Sequence, residues 1–458
     1  MKDRRNELLA LAEKAVTSAS KNAEQIEVLV QDSYQISCEV ALGQMNKATQ
    51  VQDSGVAIRC ILGKSIGSSF TNRLEWKSIA QAVKSAISAA KVGTPDETWT
   101  DLPQKAKYSE IKDVWDDTIP EKDPSEIVDL TSKLTKRIID QGEDIIVGQA
   151  GTGVVYGWNA YANSNGVGTS DRATASAAYA VLVAPTPTGI TPPAIAEDVK
   201  RDFNLDIDFI VESSVNDVLL AKKSVKGLTE RGTVIMNPQA LGEIFIHTLI
   251  PAIYGENVVR GKSLLAERIG EKIGSNKLSI IDDGLLPGGF NTFLFDGEGV
   301  PHKTTPIIEN GRLKSFLWDN YWGHRHGEKS TGNASRNLRT GLVSIQPTNI
   351  VLPPGKLPLK DLIGDVKSGY LIKGVQGAHS SNQETGDFSV VGNPAFRIQD
   401  GKLTGCCHGL MLAGNIFDII QKVDCLGSDV RGNLVEPNNS IVAPSIRLKD
   451  VQVIGKAD

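Results

Sequence analysis

Leu8, Leu11, Ala12, Ala15 and Ala19 recur at the three- and four-residue spacing that lines one side of a helix, so the chain is expected to open with one. The period then falls to two. Ile26, Val28 and Val30, then Ile36, Cys38 and Val40, then Val56, Ile58, Cys60 and Leu62 alternate with polar neighbours, which predicts three antiparallel strands. Helical spacing returns at Ile79, Ala82, Val83, Ala86, Ile87 and Ala90. Residues 91–125 hold Pro95, Pro103, Pro120 and Pro124 among charged side chains, the composition of an exposed crossing. A helix over 125–141 is expected next. It leads into β-like runs at 145–162 and 170–184, joined by a hairpin at Asn165-Gly166. Asn216–Lys226 again has helical spacing, and Gly232–Met236 reads as a short buried strand. Hairpin turns are predicted at Asn310-Gly311 and Asp400-Gly401. The expected architecture is α+β: an N-terminal α+β module over 1–110, a central one over 111–225, and a large, mostly antiparallel β-rich C-terminal domain over 226–458.

Composition changes this picture little. The chain has 458 residues, and 49 Lys+Arg against 54 Asp+Glu leave a net charge of −5 with no basic cluster, which opposes direct nucleic-acid binding. The 44 glycines and 5% aromatics favour tight turns and close backbone approaches. Five scattered cysteines (Cys38, Cys60, Cys406, Cys407, Cys425) do not form a disulfide framework and suit a reducing compartment. The charged start of the chain lacks the apolar stretch of a secretory signal, so a cytoplasmic location is expected. The uncharged run from Ala173 to Ala196 contains four prolines and is read as a strand followed by a loop.

Candidate chemistry is sparse. Six histidines are available: His247, His302, His324, His326, His379 and His408. A catalytic zinc needs convergent imidazole, thiolate or carboxylate ligands and a base for its water. His247 sits in an apolar, partly helical run without a second histidine at the fourth or fifth position. His324 and His326 are expected on one side of a strand, as a solvated pair. In Cys406-Cys407-His408, adjacent strand residues face opposite ways, which predicts one buried and one exposed cysteine. No nucleophile elbow is present. Gly151-Thr152-Gly153 lacks the rest of a phosphate-binding loop and is expected to be a tight turn between strands. Asn333-Ala334-Ser335 matches a glycosylation pattern, which carries little weight in a cytoplasmic chain.

Several passages nevertheless resemble one known family. They are Ser54–Asn72; Phe295-Asp296-Gly297-Glu298-Gly299-Val300-Pro301 with Ile308–Lys314; Lys329–Ala334; Glu384-Thr385-Gly386-Asp387-Phe388-Ser389 with Ile398–Leu403; and the tail from Ala443-Pro444-Ser445-Ile446 to Gly455. In this order they are similar to the TldD/PmbA family, historically called modulators of DNA gyrase, and to its PmbA (TldE) branch in particular. The resemblance implies a two-subunit cytoplasmic zinc protease. A TldD-like chain carries zinc on an HExxxH helix with a distant cysteine, a PmbA-like chain pairs with it, and extended peptides or unfolded segments are the substrate.

The HExxxH position falls on His247-Thr248-Leu249-Ile250-Pro251-Ala252. The first histidine is kept, Thr248 replaces the glutamate base, and Ala252 replaces the second histidine. Neither replacement can do its predecessor's chemistry. Pro251 should also kink or end the helix. The tail Arg431-Gly432-Asn433-Leu434-Val435-Glu436-Pro437 has no cysteine, and Cys425 is the nearest thiol. The leading expectation is therefore a non-catalytic, metal-site-degenerate subunit with no cofactor of its own, paired with a zinc-bearing TldD-like chain. One alternative is a divergent metallopeptidase active alone, using His247 with His324, His326 or Cys425. A second is a gyrase- or nucleic-acid-associated binding protein, which the net charge opposes.

Overall fold

A computed structural model describes residues 2–187, 189–435 and 439–456. The chain opens with helix α1 (Arg5–Ala19), whose Leu8, Ala12, Ala15 and Ala19 are buried as their spacing requires. Three strands follow: β1 (Gln25–Ala41), β2 (Gln44–Leu62) and β3 (Ser65–Thr71). The two alternating runs expected as separate strands, 26–30 and 36–40, are halves of the single strand β1. It pairs with β2 in one long hairpin closed at Leu42 (φ 49°) and Gly43 (φ 74°). Polar residues 31–35 do not interrupt it, because a strand needs only its ladder to continue across them.

Helices α2 (Trp76–Val92) and α3 (Pro124–Ile139) follow, the latter started by a capping box in which Asp123 and Glu126 satisfy each other's backbone. Next come β4 (Ile146–Asn163) and β5 (Gly168–Val183), joined at the predicted Asn165-Gly166 turn. A short ribbon of β6 (Pro185–Thr186) and β7 (Gly189–Ile190) precedes β8 (Ala194–Lys200). Among the described residues these strands make a six-stranded sheet in the order β3-β2-β1-β4-β5-β8. Since β1 pairs with β4 over fifteen residues from Glu27↔Asn163 to Ala41↔Gln149, the boundary expected at 110 divides in sequence what one sheet joins in space.

Gly151-Thr152-Gly153 lies inside β4 and is not a turn. A side chain at 151 would strike the Tyr179 ring, and the Thr152 hydroxyl donates to the Ile127 carbonyl (3.0 Å) at the start of α3. Helix α4 (Ile207–Ala221) starts nine residues before the expected 216, because its apolar face is set by contact with β5 and β8. Nor is the 91–125 crossing simply exposed. Trp99, Leu102 and Ile119 are buried, and the Asp101 carbonyl accepts from Asn320 Nδ2 (2.7 Å) in the second half of the chain.

From Glu230 onward, among the described residues, two large sheets and a two-stranded ribbon (Ala334–Arg336 with Val343–Ile345) form the C-terminal half, mostly antiparallel as expected. The larger places strand Ile446–Ile454 between Met411–Asn415 and Glu230–Met236, with Ser368–Ile372, Ala395–Gln399 and Lys402–Cys406 beyond. The smaller includes Ile280–Asp283, Thr304–Glu309, Asn349–Val351, Asn439–Ala443 and Arg431–Val435. Helix α5 (Pro238–His247) and the single turn α6 (Leu249–Ala252) are buried with both sheets in one large apolar cluster. No helix among the described residues is long and apolar enough to cross a membrane.

Candidate functional site

Asn237 starts α5 by accepting the Ala240 N–H (2.9 Å), with Pro238 at the first helical position. The helix ends at His247. Thr248 leaves helical geometry (φ −135°, ψ −65°), and its hydroxyl donates back to the Ile244 carbonyl (2.6 Å). Pro251 has no N–H with which to reach His247, so the helix restarts only as the single turn α6. His247 is 7% exposed, and Ala252 packs into the apolar cluster at 2%.

The other sequence candidates lie elsewhere. His324 and His326 are on a helix, Asn320–His326, not a strand. His324 Nδ1 is 2.6 Å from the Thr100 hydroxyl, and the His326 ring stacks on Trp318 with centroids 4.8 Å apart. Aspartate at 319 caps this helix by accepting from Trp322 N–H (2.7 Å), a local signal that overrides the strand expectation. Cys406 and Cys407 do face opposite sides, but both are buried at 1%, because each side is covered by its own apolar cluster. Burial raises their thiols to about 12 and about 11. Cys425, half-buried on strand Val423–Leu426, packs with the cluster that holds Cys406, not with the cluster around α5. Asn333 of the glycosylation pattern is buried and donates to Asp282 (2.7 Å). Glu436 and Pro437 of the tail lie outside the described residues.

Does the His247 segment fit a zinc ion? At 248 a hydroxyl is committed to a backbone carbonyl, at 252 there is a methyl group, and no group of three or more His, Cys, Asp and Glu among the described residues could hold a metal. The donor set does not fit.

The polar chemistry gathers instead where the N-terminal sheet meets the C-terminal half. Helices cover one face of that sheet. The other presents Glu27, Leu29 and Gln31 of β1, with Arg59 of β2 opposite Glu27 and with Asn163, Tyr161 and Asn159 of β4 opposite the three in turn. The Phe295–Pro301 turn docks there. Asp296 accepts N–H bonds from Glu298 (2.9 Å), Val300 (3.0 Å) and Ala334 (3.0 Å). Burial, and next the charge of Glu298, holds its carboxyl well above the usual range, against those three donors. Gly299 sits at φ 77° against Tyr161, where a Cβ would lie 2.3 Å from the ring. Glu298, fully buried, accepts from Arg59 (2.8 Å) and from the Asn320 N–H (3.0 Å). Arg59 also pairs with Glu27, which pairs with Arg336 and accepts from the Tyr161 hydroxyl (2.6 Å). The charges therefore alternate, Glu298, Arg59, Glu27, Arg336, across the junction.

Beside this chain of charges lies a cavity of about 330 Å³ between the β1/β4 face and the segment 331–348. Gln31, Asn159, Ser335, Gln346 and His302 contribute polar groups, and Leu29, Phe293 and Phe295 apolar ones. His302 is 8% exposed, its Nδ1 has no partner, and burial lowers its pKa to about 4. Ligand spacing did not single out His302. Its only signal was its place directly after the Phe295–Pro301 motif.

Comparison with known proteins follows this architecture. Residues 26–90 match the family model described as PmbA/TldA metallopeptidase domain 1, and residues 229–455 match the PmbA/TldA metallopeptidase C-terminal domain. An uncharacterized protein of Methanocaldococcus jannaschii is 30% identical over 95% of this chain and 98% of its own length. A metalloprotease of the same organism is 31% identical over half of each chain. The crystal structure of TldE from Thermococcus kodakarensis superposes with a TM-score of 0.93 at 32% identity, covering 97% of this chain and all of that one. A DNA gyrase modulator structure from Thermotoga maritima (TM-score 0.87, 22% identity, 97% and 99% covered) shares the fold. Two domain matches in order, joined by a relative aligned over nearly the whole length, mean that this chain belongs to the TldD/PmbA metallopeptidase family.

Proposed function

We propose that this chain is the non-catalytic subunit of a TldD/TldE-type zinc metalloprotease, paired with a TldD-like chain that carries the metal and the chemistry. The observation that carries this reading is the His247–Ala252 segment: a threonine stands where a general base is needed, an alanine where a ligand is needed, and the helix stops at His247, before both. What the chain contributes is a rigid β-rich wall that shapes the space in which an extended peptide or unfolded segment is handled. The self-sufficient peptidase alternative would require His247 to converge with His324, His326 or Cys425, and among the described residues no group of three or more His, Cys, Asp and Glu is placed to hold a metal. The net charge of −5 favours neither DNA nor gyrase–DNA complexes as a direct ligand.

The test is the zinc content of the chain purified alone and in complex with a TldD-like partner at matched protein concentration. The expected result is no zinc alone and about one ion per heterodimer, as a single open catalytic site requires. Stoichiometric zinc in the lone chain, or failure to copurify with any TldD-like chain, overturns the reading.

A further inference from the structure

The cavity between the β1/β4 face and segment 331–348 has a chemical character that the proposed role does not by itself require. Gln31 and Asn159 are direct cross-strand partners and line it together. Directly opposed side chains on neighbouring strands stand about 5 Å apart, so their carboxamides can address one small group from two sides. Ser335, on the short strand Ala334–Arg336, and Gln346, just past strand Val343–Ile345, form the facing wall. Among the described residues, the side chains of Gln31, Asn159, Ser335 and Gln346 make no hydrogen bond to protein. Each keeps donor and acceptor capacity available to an occupant.

The charged residues of the lining are already committed. Asp296 accepts three backbone N–H groups, and Arg336 is paired through one nitrogen with Glu27, while its buried Nε and Nη1 have no hydrogen-bond partner. Burial keeps His302 neutral above a pKa of about 4. The Arg336 charge is balanced within the row Glu298, Arg59, Glu27, Arg336, two acids and two arginines, so a charged occupant of either sign would meet no uncompensated partner charge here. What remains is a set of uncharged groups, each able to donate and accept, between the apolar surfaces of Leu29, Phe293 and Phe295. This is the complement of a peptide unit, which also offers one donor and one acceptor and no charge. The volume lies at the lower end of the range for ligand cavities.

We infer that this cavity binds the uncharged backbone of an extended peptide segment, with the Gln31/Asn159 pair and Gln346 as the groups that hydrogen-bond its amides. The inference rests on the peptide-handling reading above and gives it a location on this chain.

The full-length chain is titrated calorimetrically with N-acetyl-trialanine amide, and separately with unblocked trialanine, whose two termini are charged. The blocked peptide is expected to bind saturably and more tightly than the unblocked one. The double substitution Gln31→Leu/Asn159→Leu is expected to weaken binding about tenfold or more, the effect of losing two neutral hydrogen bonds. Gln346→Ala, on the opposite wall, should weaken it severalfold and serves as the second variant if the double one misfolds. No binding of the blocked peptide, equal or tighter binding of the charged one, or unchanged affinity in folded variants overturns the inference. The zinc measurement is independent of the cavity. Zinc in the lone chain together with normal peptide binding sinks the silent-subunit role and supports this site, whereas absent peptide binding with zinc confined to the partner sinks this site alone.

Discussion

His302 shows how burial decides what a side chain can do. Gly284 and Gly332 leave no room beside it for further side chains, its Nδ1 meets no donor or acceptor, and its folded-state pKa falls from 6.5 to about 4. The unfolded chain therefore takes up this proton near pH 6.5 while the folded chain resists until about 4. The stability conferred by a neutral His302 is complete above 6.5 and is lost as pH falls through that window. Asp282 works in the opposite sense. Burial raises it to about 7, against hydrogen bonds from Asn333 and Thr348, so its contribution is complete below its unfolded value of 3.8 and is lost as pH rises toward 7. The two are separable by mutation. Between pH 7 and pH 5 the wild type should lose about 2 kcal/mol more unfolding free energy than His302→Gln, measured by urea titration at both pH values. Equal losses would mean that His302 titrates normally. The sequence pointed to histidines by spacing, and spacing carries no information about a lone imidazole enclosed by residues from the 280s, 290s and 330s.

At the scale of elements, the turns were the most legible part of the chain. Asn310-Gly311 and Asp400-Gly401 both adopt the paired positive φ that their residue types predict (48° and 77°; 45° and 73°). Strand length was less legible, since the ladder of β1 runs unbroken across 31–35 because it is held on both sides, by the neighbouring strand β2 and by β4, more than a hundred residues away. Helix α5 combines the two cases: Asn237-Pro238 marks its start, and Pro251 announces a break, but the stop at Thr248 is completed by a hydroxyl folded back on Ile244. That local structure has a consequence for any attempt to rebuild a metal site. In Thr248→Glu/Ala252→His, a carboxylate would replace a fully buried hydroxyl and an imidazole would replace a core methyl group. The variant should lose about 3 kcal/mol or more of stability and still hold well under one zinc per chain, as read by chemical denaturation and elemental analysis. Stoichiometric zinc with unchanged stability would show that only the two side chains had been lost.

For the molecule as a whole, the junction between the two halves was the least visible feature in sequence, because each of its charges looks like an ordinary surface residue until the sheet face and the Phe295–Pro301 turn meet. The motif itself was legible, but not its role as the piece that docks. Arg201 makes the point. Buried just past β8, its guanidinium donates to the Thr174 carbonyl (3.1 Å) in the N-terminal sheet and to the Gly289 (3.0 Å) and Thr292 (2.9 Å) carbonyls beyond it, while burial lowers its pKa to about 10. Arg201→Met preserves much of the volume and strands three acceptors. The expected cost is about 3 kcal/mol or more in global unfolding, with proteolytic cleavage appearing first near the junction; a variant as stable and as protease-resistant as wild type would show that Arg201 is not needed to hold the halves together.

The central place of strand Ile446–Ile454, between one strand from the start of the C-terminal half and one from toward its end, bears on biosynthesis. Translation supplies Glu230–Met236 long before, and Met411–Asn415 shortly before, the strand that must lie between them. Until residue 454 has emerged, each of those strands has an unsatisfied edge, and the large sheet exists only as two incomplete fragments. The N-terminal sheet has no such dependence, since its last strand ends at Lys200. The two halves of the nascent chain thus mature on different schedules: the N-terminal sheet has all its strands once Lys200 is out, and the large sheet of the second half closes only when Ile446–Ile454 has emerged.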